Sequence, residues 1–228
     1  MKNNSKKHDD TKSRLINAAG EVFAQHGFRS ATVREICSRA DAHLGAMNYH
    51  FRDKVGLYVA VLEHSHQLAA KKHPLESGLR NGATPEEKLR AFIRSFLLRL
   101  LGEGFPAWHG KLMAREIADP TDALNQVIQS SVRPLYSYMV GILYELLGEA
   151  KPAEGEESEE IFLSIMGIVG QCLHHFTGKR VVAAIRPKSF DPADIERIAD
   201  HIARFSLAGI RELKSTQISR KGTHESGL

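Results

Sequence analysis

The chain has 228 residues, 42% of them hydrophobic, and a formal charge of +4, enough for one or two domains with real cores. No apolar run approaches the roughly 18 residues of a membrane-spanning helix, and no apolar segment follows the basic N-terminus as a secretory signal requires. Two cysteines, Cys37 and Cys172, are too few for a disulfide framework or a thiolate zinc site; both fall in apolar helical patterns and read as buried thiols in a reducing cytoplasm.

Charge is unevenly spread. Residues 1–54 carry ten Lys/Arg against six Asp/Glu, which is the whole excess, and the other 174 residues balance at 21 of each. A basic head on a neutral body suits a phosphate-binding module on a scaffold that does not itself bind nucleic acid.

Strand signals are scarce, and the expected fold class is all-α, with about nine helices. The first helix is predicted from about Thr11 to His26, with Leu15, Ala19, Val22 and Phe23 on one face and Gly27 as its left-handed stop. The tip before it reads as disordered. Thr32 and Glu35 have the spacing of a capping box at the start of a second helix, which buries Ile36 and Ala40. After the turn Asp41-Ala42-His43 comes a short third helix, about Leu44 to His50, and a fourth opens near Lys54 with Leu57, Tyr58, Val61 and Leu62 inward.

A polar stretch, His73 to Ala83, precedes Thr84-Pro85-Glu86-Glu87, which supplies cap, N1 proline and first-turn acids to a fifth helix. A sixth covers about Pro106 to Ala118. The seventh carries an apolar stripe from Leu124 to Leu146, and Pro134 inside it predicts a kink or break near Val132. Lys151 to Glu160 forms an acidic loop and the first turn of an eighth helix that ends near Gly178. Asp191-Pro192 opens a ninth, which runs to about Lys214. The expected division is a DNA-binding domain over 1–55, a helical effector-binding and dimerisation domain over 56–214, and a disordered tail over 215–228.

Thr32 to Lys54 carries the chemistry. A short helix held by Met47 and Phe51 at i, i+4 leaves its other side chains for a DNA major groove. Asn48 can read an adenine edge. Gly45 and Ala46 permit close approach, and Leu44 is expected outside. Tyr49 and His50 can donate to phosphates, although Tyr49 has core use as an alternative and His50 plain surface use. Thr32 is a cap, a phosphate contact or both. Arg34 faces outward. Lys54 opposes its helix dipole, which points to an external anion.

Thr32, Ile36, Ala40, Gly45, Asn48-Tyr49-His50-Phe51, Lys54 and Leu57, with Ala19, Phe23 and Gly27-Phe28 upstream, resemble the N-terminal domain of TetR-family transcriptional regulators. Asp41 stands where the family's turn usually has glycine, and His43 at the usual serine cap. AMNYHF followed by DKVGLY, LMAREIADPTDAL, GQCLHHF and DHIARFSLAGI resemble the subgroup with a CerR-type C-terminal domain.

The resemblance implies a homodimer on a palindromic operator. The predicted eighth and ninth helices are the candidate interface, through Ile165, Val169, Ala199, Ile202, Ala203, Ser206 and Gly209; packing within one subunit is the alternative use of the small residues. It also implies a small-molecule effector site. Trp108, His109, Met113, Arg115, Glu116, Tyr136, Tyr138, Cys172, His174 and His175 are its candidates, suited to an apolar or aromatic compound and each open to ordinary core or surface duty.

The pairs His64/His66 and His174/His175 diverge on a helix rather than chelate, and no catalytic or phosphate-loop motif is present. The reading is therefore a cytoplasmic repressor released by an effector, with no metal, cofactor or catalytic residue. An architectural or activating DNA-binding protein without an effector is the alternative.

Overall fold

The computed structural model describes residues 2–185 and 194–225, with side chains from 10 to 185 and from 194 to 215. Among the described residues the elements are helical, without a strand: α1 (Lys2–Ser30), α2 (Val33–Arg39), α3 (Leu44–Phe51), α4 (Lys54–Lys72), α5 (Pro85–Leu101), α6 (His109–Ala118), α7 (Ala123–Val127), α8 (Arg133–Leu147), α9 (Glu159–Thr177), α10 (Lys179–Ile185) and α11 (Ile195–Glu225). A π-helical turn, Ile128–Val132, joins α7 to α8.

The chain forms two compact units. The head unit holds residues 1–71 with 104–133, and the body unit holds 72–103 with 134–228. This differs from a division at residue 55. α4 and α6 carry apolar residues that complete the head's core, so the chain leaves the head after α4 and re-enters it at 104. Leu15, Ala19, Val22 and Phe23 of α1 pack with Ile36, Met47, Phe51, Leu57, Tyr58 and Leu62, and Trp108 and Leu112 close the cluster. Gly20 is the close-approach point: a Cβ there would lie 2.5 Å from the Trp108 indole. Trp108, expected as an effector contact, is 5% exposed and wedged against α1, because its indole fills the groove that Gly20 leaves.

The body's core joins Leu89, Phe92, Ile93 and Leu97 of α5 with Met139 and Leu143 of α8, Ile161, Ile165, Ile168 and Cys172 of α9, and Ala199, Ile202, Ala203 and Leu207 of α11. At the start of α5 the capping box closes both ways: Glu87 N donates to Thr84 Oγ1 at 3.2 Å, and Thr84 N to Glu87 Oε2 at 2.8 Å. The predicted break before Pro134 is the π-helical turn, which accommodates a residue that cannot donate and whose ring would crowd the preceding turn.

Two boundaries and one element differ from expectation. α1 begins at Lys2, within the tip expected as disordered, and α11 continues to Glu225, through most of the expected tail. Neither extension meets a proline, and extending an existing helix costs far less than nucleating one. The segment 179–185 adds α10, an element with no expected counterpart. The predicted opening at Asp191-Pro192 lies outside the described residues.

Candidate nucleic-acid interface

α2 starts at Thr32, whose hydroxyl accepts from Glu35 N at 3.2 Å. The reciprocal half of the expected box is absent, because the Glu35 carboxylate is taken by Arg39 at 2.8 Å and faces His26 at 3.5 Å. Thr32 and Arg34 are exposed. The turn after α2 depends on Asp41, whose φ of 46° is the left-handed angle that a glycine would take more easily. Arg14 of α1 steadies that turn, donating to Asp41 O at 3.2 Å and pairing with its carboxylate at 3.5 Å. The sequence offered no local signal for this tie, because the two residues are 27 positions apart.

α3 opens with His43 as an unusual cap. Its Nδ1 accepts from Ala46 N at 3.1 Å, so the ring proton sits on Nε2 in this arrangement. A Cβ at position 45 would lie 3.2 Å from that Nδ1, so Gly45 serves the cap as well as the exposed surface. Met47 and Phe51 are buried at 2% and 7%, while Leu44 and Tyr49 are 56% and 76% exposed. Asn48 is also exposed, and His50 and Ala46 are half-buried. The two-anchor geometry read from the sequence is the geometry observed, and Tyr49 is outside the core.

Lys54 is different. Its ammonium is not left to an external anion: it donates to Ala31 O at 3.0 Å and Arg29 O at 3.3 Å, and stands 4.6 Å from the Phe28 ring centroid. Its positive charge serves the carbonyls of the turn that follows the non-helical Gly27, which explains a lysine at the start of α4 without any ligand. One of its three N–H donors remains beyond those two bonds.

The effector candidates divide evenly between the units. In the head, Arg115 donates to Ala24 O and Gln25 O, both at 3.2 Å, and so caps the end of α1. Glu116 is 4% exposed and accepts from Tyr58 Oη at 2.6 Å and from Thr121 N and Oγ1, each at 3.0 Å. Burial, and then this bond to Glu116, push the Tyr58 phenol far above its ordinary range. His109 is buried, 2.5 Å from Ser65 Oγ and stacked on Phe105. Met113 packs on the head core. These five residues, with Trp108, Arg115 and Glu116 foremost, tie α6 to α1 and α4.

In the body, Tyr136 and Tyr138 donate to Glu157 at 2.5 Å and Glu76 at 3.2 Å. Cys172 is buried, which raises its thiol to about 12. His174 is exposed, and His175 is held toward its neutral form by burial and then by His174, His201 and Arg197.

The interface candidates need correction. Ile165, Ala199, Ile202, Ala203 and Ser206 are buried within this chain at 1%, 5%, 2%, 0% and 8%, and Val169 packs against the same core. Of the seven, Gly209 alone is exposed. On α9 and α11 the large apolar side chains left outside are Phe162, Leu163, Met166 and Phe205, at 44%, 57%, 41% and 67% exposure, with Val181 and Ile185 exposed on α10. The signal was available in α9, which is apolar on more than one face, as a helix buried on two sides is.

Residues 15–61 match the family model for bacterial regulatory proteins of the TetR family, and residues 85–210 that for the C-terminal domain of the HTH-type transcriptional dual regulator CecR. The chain belongs to the TetR family. Its C-terminal domain is of the CecR type. CecR of Shigella flexneri is 27% identical over 77% of this chain and 80% of its own length. The HTH-type transcriptional repressor NicS of Pseudomonas putida is 26% identical over 90% of this chain and 93% of its own. Among solved structures, the regulator FadR from Bacillus subtilis, in complex with stearoyl-CoA, shares the fold with a TM-score of 0.60 at 20% identity, covering 86% of this chain and 98% of that one. This TetR-family chain is a DNA-binding transcriptional regulator. Among its described residues no single helix is long and apolar enough to cross a membrane.

Proposed function

We propose that this TetR-family protein is a cytoplasmic repressor that binds a palindromic operator as a homodimer and leaves it when a small molecule binds. The observation that carries the reading is α3, with Met47 and Phe51 inward while Asn48 and Tyr49 are exposed. Asn48 reads a base edge, Tyr49 and His50 bond the backbone, and Thr32 and Arg34 contact flanking phosphates. Lys54 fixes the start of α4 against residues 28–31 and offers its remaining N–H to a phosphate. One eight-residue helix gains limited affinity from one half-site, and a second copy adds much through effective concentration.

The second copy docks on Phe162, Leu163, Met166 and Phe205. Exposed apolar side chains on two helices of one unit suit a self-complementary four-helix contact. For the effector, Tyr136, Tyr138, Cys172, His174 and His175 remain the body's candidates, and the stearoyl-CoA of the FadR structure supports a ligand with a long apolar part. Such a ligand releases DNA only if it binds better to a form that cannot hold the operator. Activation at some operators is the second reading, favoured by the name of the CecR relative as a dual regulator.

Selecting bound sequences from random duplexes tests the whole reading. Enrichment of an inverted repeat, with half-sites centred about one helical turn apart, and its loss when acyl or aromatic compounds are added, is the expected result. Enrichment of a single unrepeated site contradicts the dimer, and no enrichment contradicts sequence reading.

A further inference from the structure

The C-terminal end of α3 carries a feature that base reading does not use. Arg52 has φ 70° and ψ −54°, and Asp53 N donates to Phe51 O at 2.8 Å. That is a γ-turn centred on Arg52, of the strained, positive-φ kind that is rare in proteins. Three bonds or contacts hold it. Arg52 N donates to Asn48 O at 2.9 Å, Asp53 Oδ1 accepts from Gly56 N at 2.8 Å to start α4, and the Phe51 carbonyl comes so close to Gly56 that a Cβ there would lie 2.2 Å away. Strain of this type persists where the surroundings over-determine it, and it clusters at binding sites.

The strained turn puts Arg52 on the wall of a cleft of about 380 Å³, which it shares with Lys12 of α1 and with Asn48, Tyr49 and His50 of α3. Among the described residues no ion pair or hydrogen bond engages the side chain of Lys12 or of Arg52. Glu63 of α4 is the acid on the lining, and Asp53 beside it is occupied as the cap of α4.

We propose that Lys12 and Arg52 together bind a backbone phosphate of the duplex that Asn48 reads, so that α1 and the α3–α4 turn form a second phosphate clamp. This rests on α3 being the reading helix. Because Asn48 and Tyr49 line the same cleft, a duplex held by them brings its own backbone to the two cations. Arg52 supplies a planar fork and Lys12 a point charge, a pairing suited to a phosphodiester. The γ-turn fixes where the fork begins.

The test is binding of operator and random duplexes by the full chain over a range of salt, for Lys12→Gln, Arg52→Gly, Arg52→Lys and Asn48→Ala. Each lost phosphate contact lowers the log–log salt slope by about 0.9. Lys12→Gln and Arg52→Gly are each expected to lower it by up to that amount per head, about twice it for the dimer, on both duplexes, leaving operator preference intact, and Arg52→Lys to restore most of it. Arg52→Gly also removes the positive-φ strain, so its melting temperature rises while its DNA binding falls, an opposition that a purely structural arginine would not give. Wild-type slopes in Lys12→Gln and Arg52→Gly, with operator preference lost in Asn48→Ala, overturn the clamp alone. Wild-type behaviour in all the variants overturns the clamp and the reading helix together.

Discussion

Asn48 lies in α3 and Lys54 opens α4, on either side of one short turn, and their polar atoms have opposite fates. Asn48 is exposed on α3, whereas Lys54 is committed to Ala31 O, Arg29 O and the Phe28 ring. Lys54 therefore contributes to the stability of the head before it contributes to DNA affinity. Lys54→Gln is expected to cost about 1 kcal/mol of stability, from the lost cation–π contact and the two carbonyls left without a donor. It is also expected to weaken operator and random duplex alike. Thermal unfolding and anisotropy measured on the same preparation check this, and an unchanged melting temperature would show that the ammonium is not what holds α1. A basic residue near a reading helix looks the same in sequence whether it meets a phosphate or a carbonyl. Only the 23-residue separation from Ala31, closed in three dimensions, distinguishes the two.

At the scale of elements, chemistry that acts over three or four residues was legible before folding. The Thr84-Pro85 start of α5, the break at Pro134 and the Met47/Phe51 anchors all follow from local rules, and each is where the sequence placed it. Contacts between distant segments were not legible. Trp108 reads as a pocket aromatic until Gly20 is seen beneath its ring. Gly20→Ala is accordingly expected to destabilise the head by about 1–3 kcal/mol through overpacking. Because the chain has one tryptophan, its fluorescence reports the displacement directly. A Gly20→Ala protein with wild-type emission and stability would mean that α6 does not pack on α1 through this ring. Arg115 and Glu116 belong to the same joint, the first capping α1 and the second receiving Tyr58. The pattern LMAREIADPTDAL thus encodes a tie between α6 and the head as much as any ligand contact.

For the whole molecule, the dimer face shows why patterning alone misassigns a surface. α9 is apolar on several sides, and the small residues of α11 suggest a close helix contact. In the folded body unit Ala199, Ile202 and Ala203 are consumed within the chain, and Phe162, Leu163, Met166 and Phe205 remain outside. Phe162→Glu with Phe205→Glu is expected to give a folded monomer by sedimentation, with operator affinity reduced far more than random-duplex affinity, since the inverted repeat can no longer be held by two linked heads. A double variant that stays dimeric moves the interface elsewhere.

The most direct measurement is the ratio of operator to random-duplex affinity in Asn48→Ala, by anisotropy at one salt concentration. A side chain that reads a base edge contributes discrimination of about 1–3 kcal/mol, so the ratio should fall by that amount while random-duplex affinity stays near the wild-type value. Equal losses on both duplexes, or none on either, would contradict a base-reading role for α3.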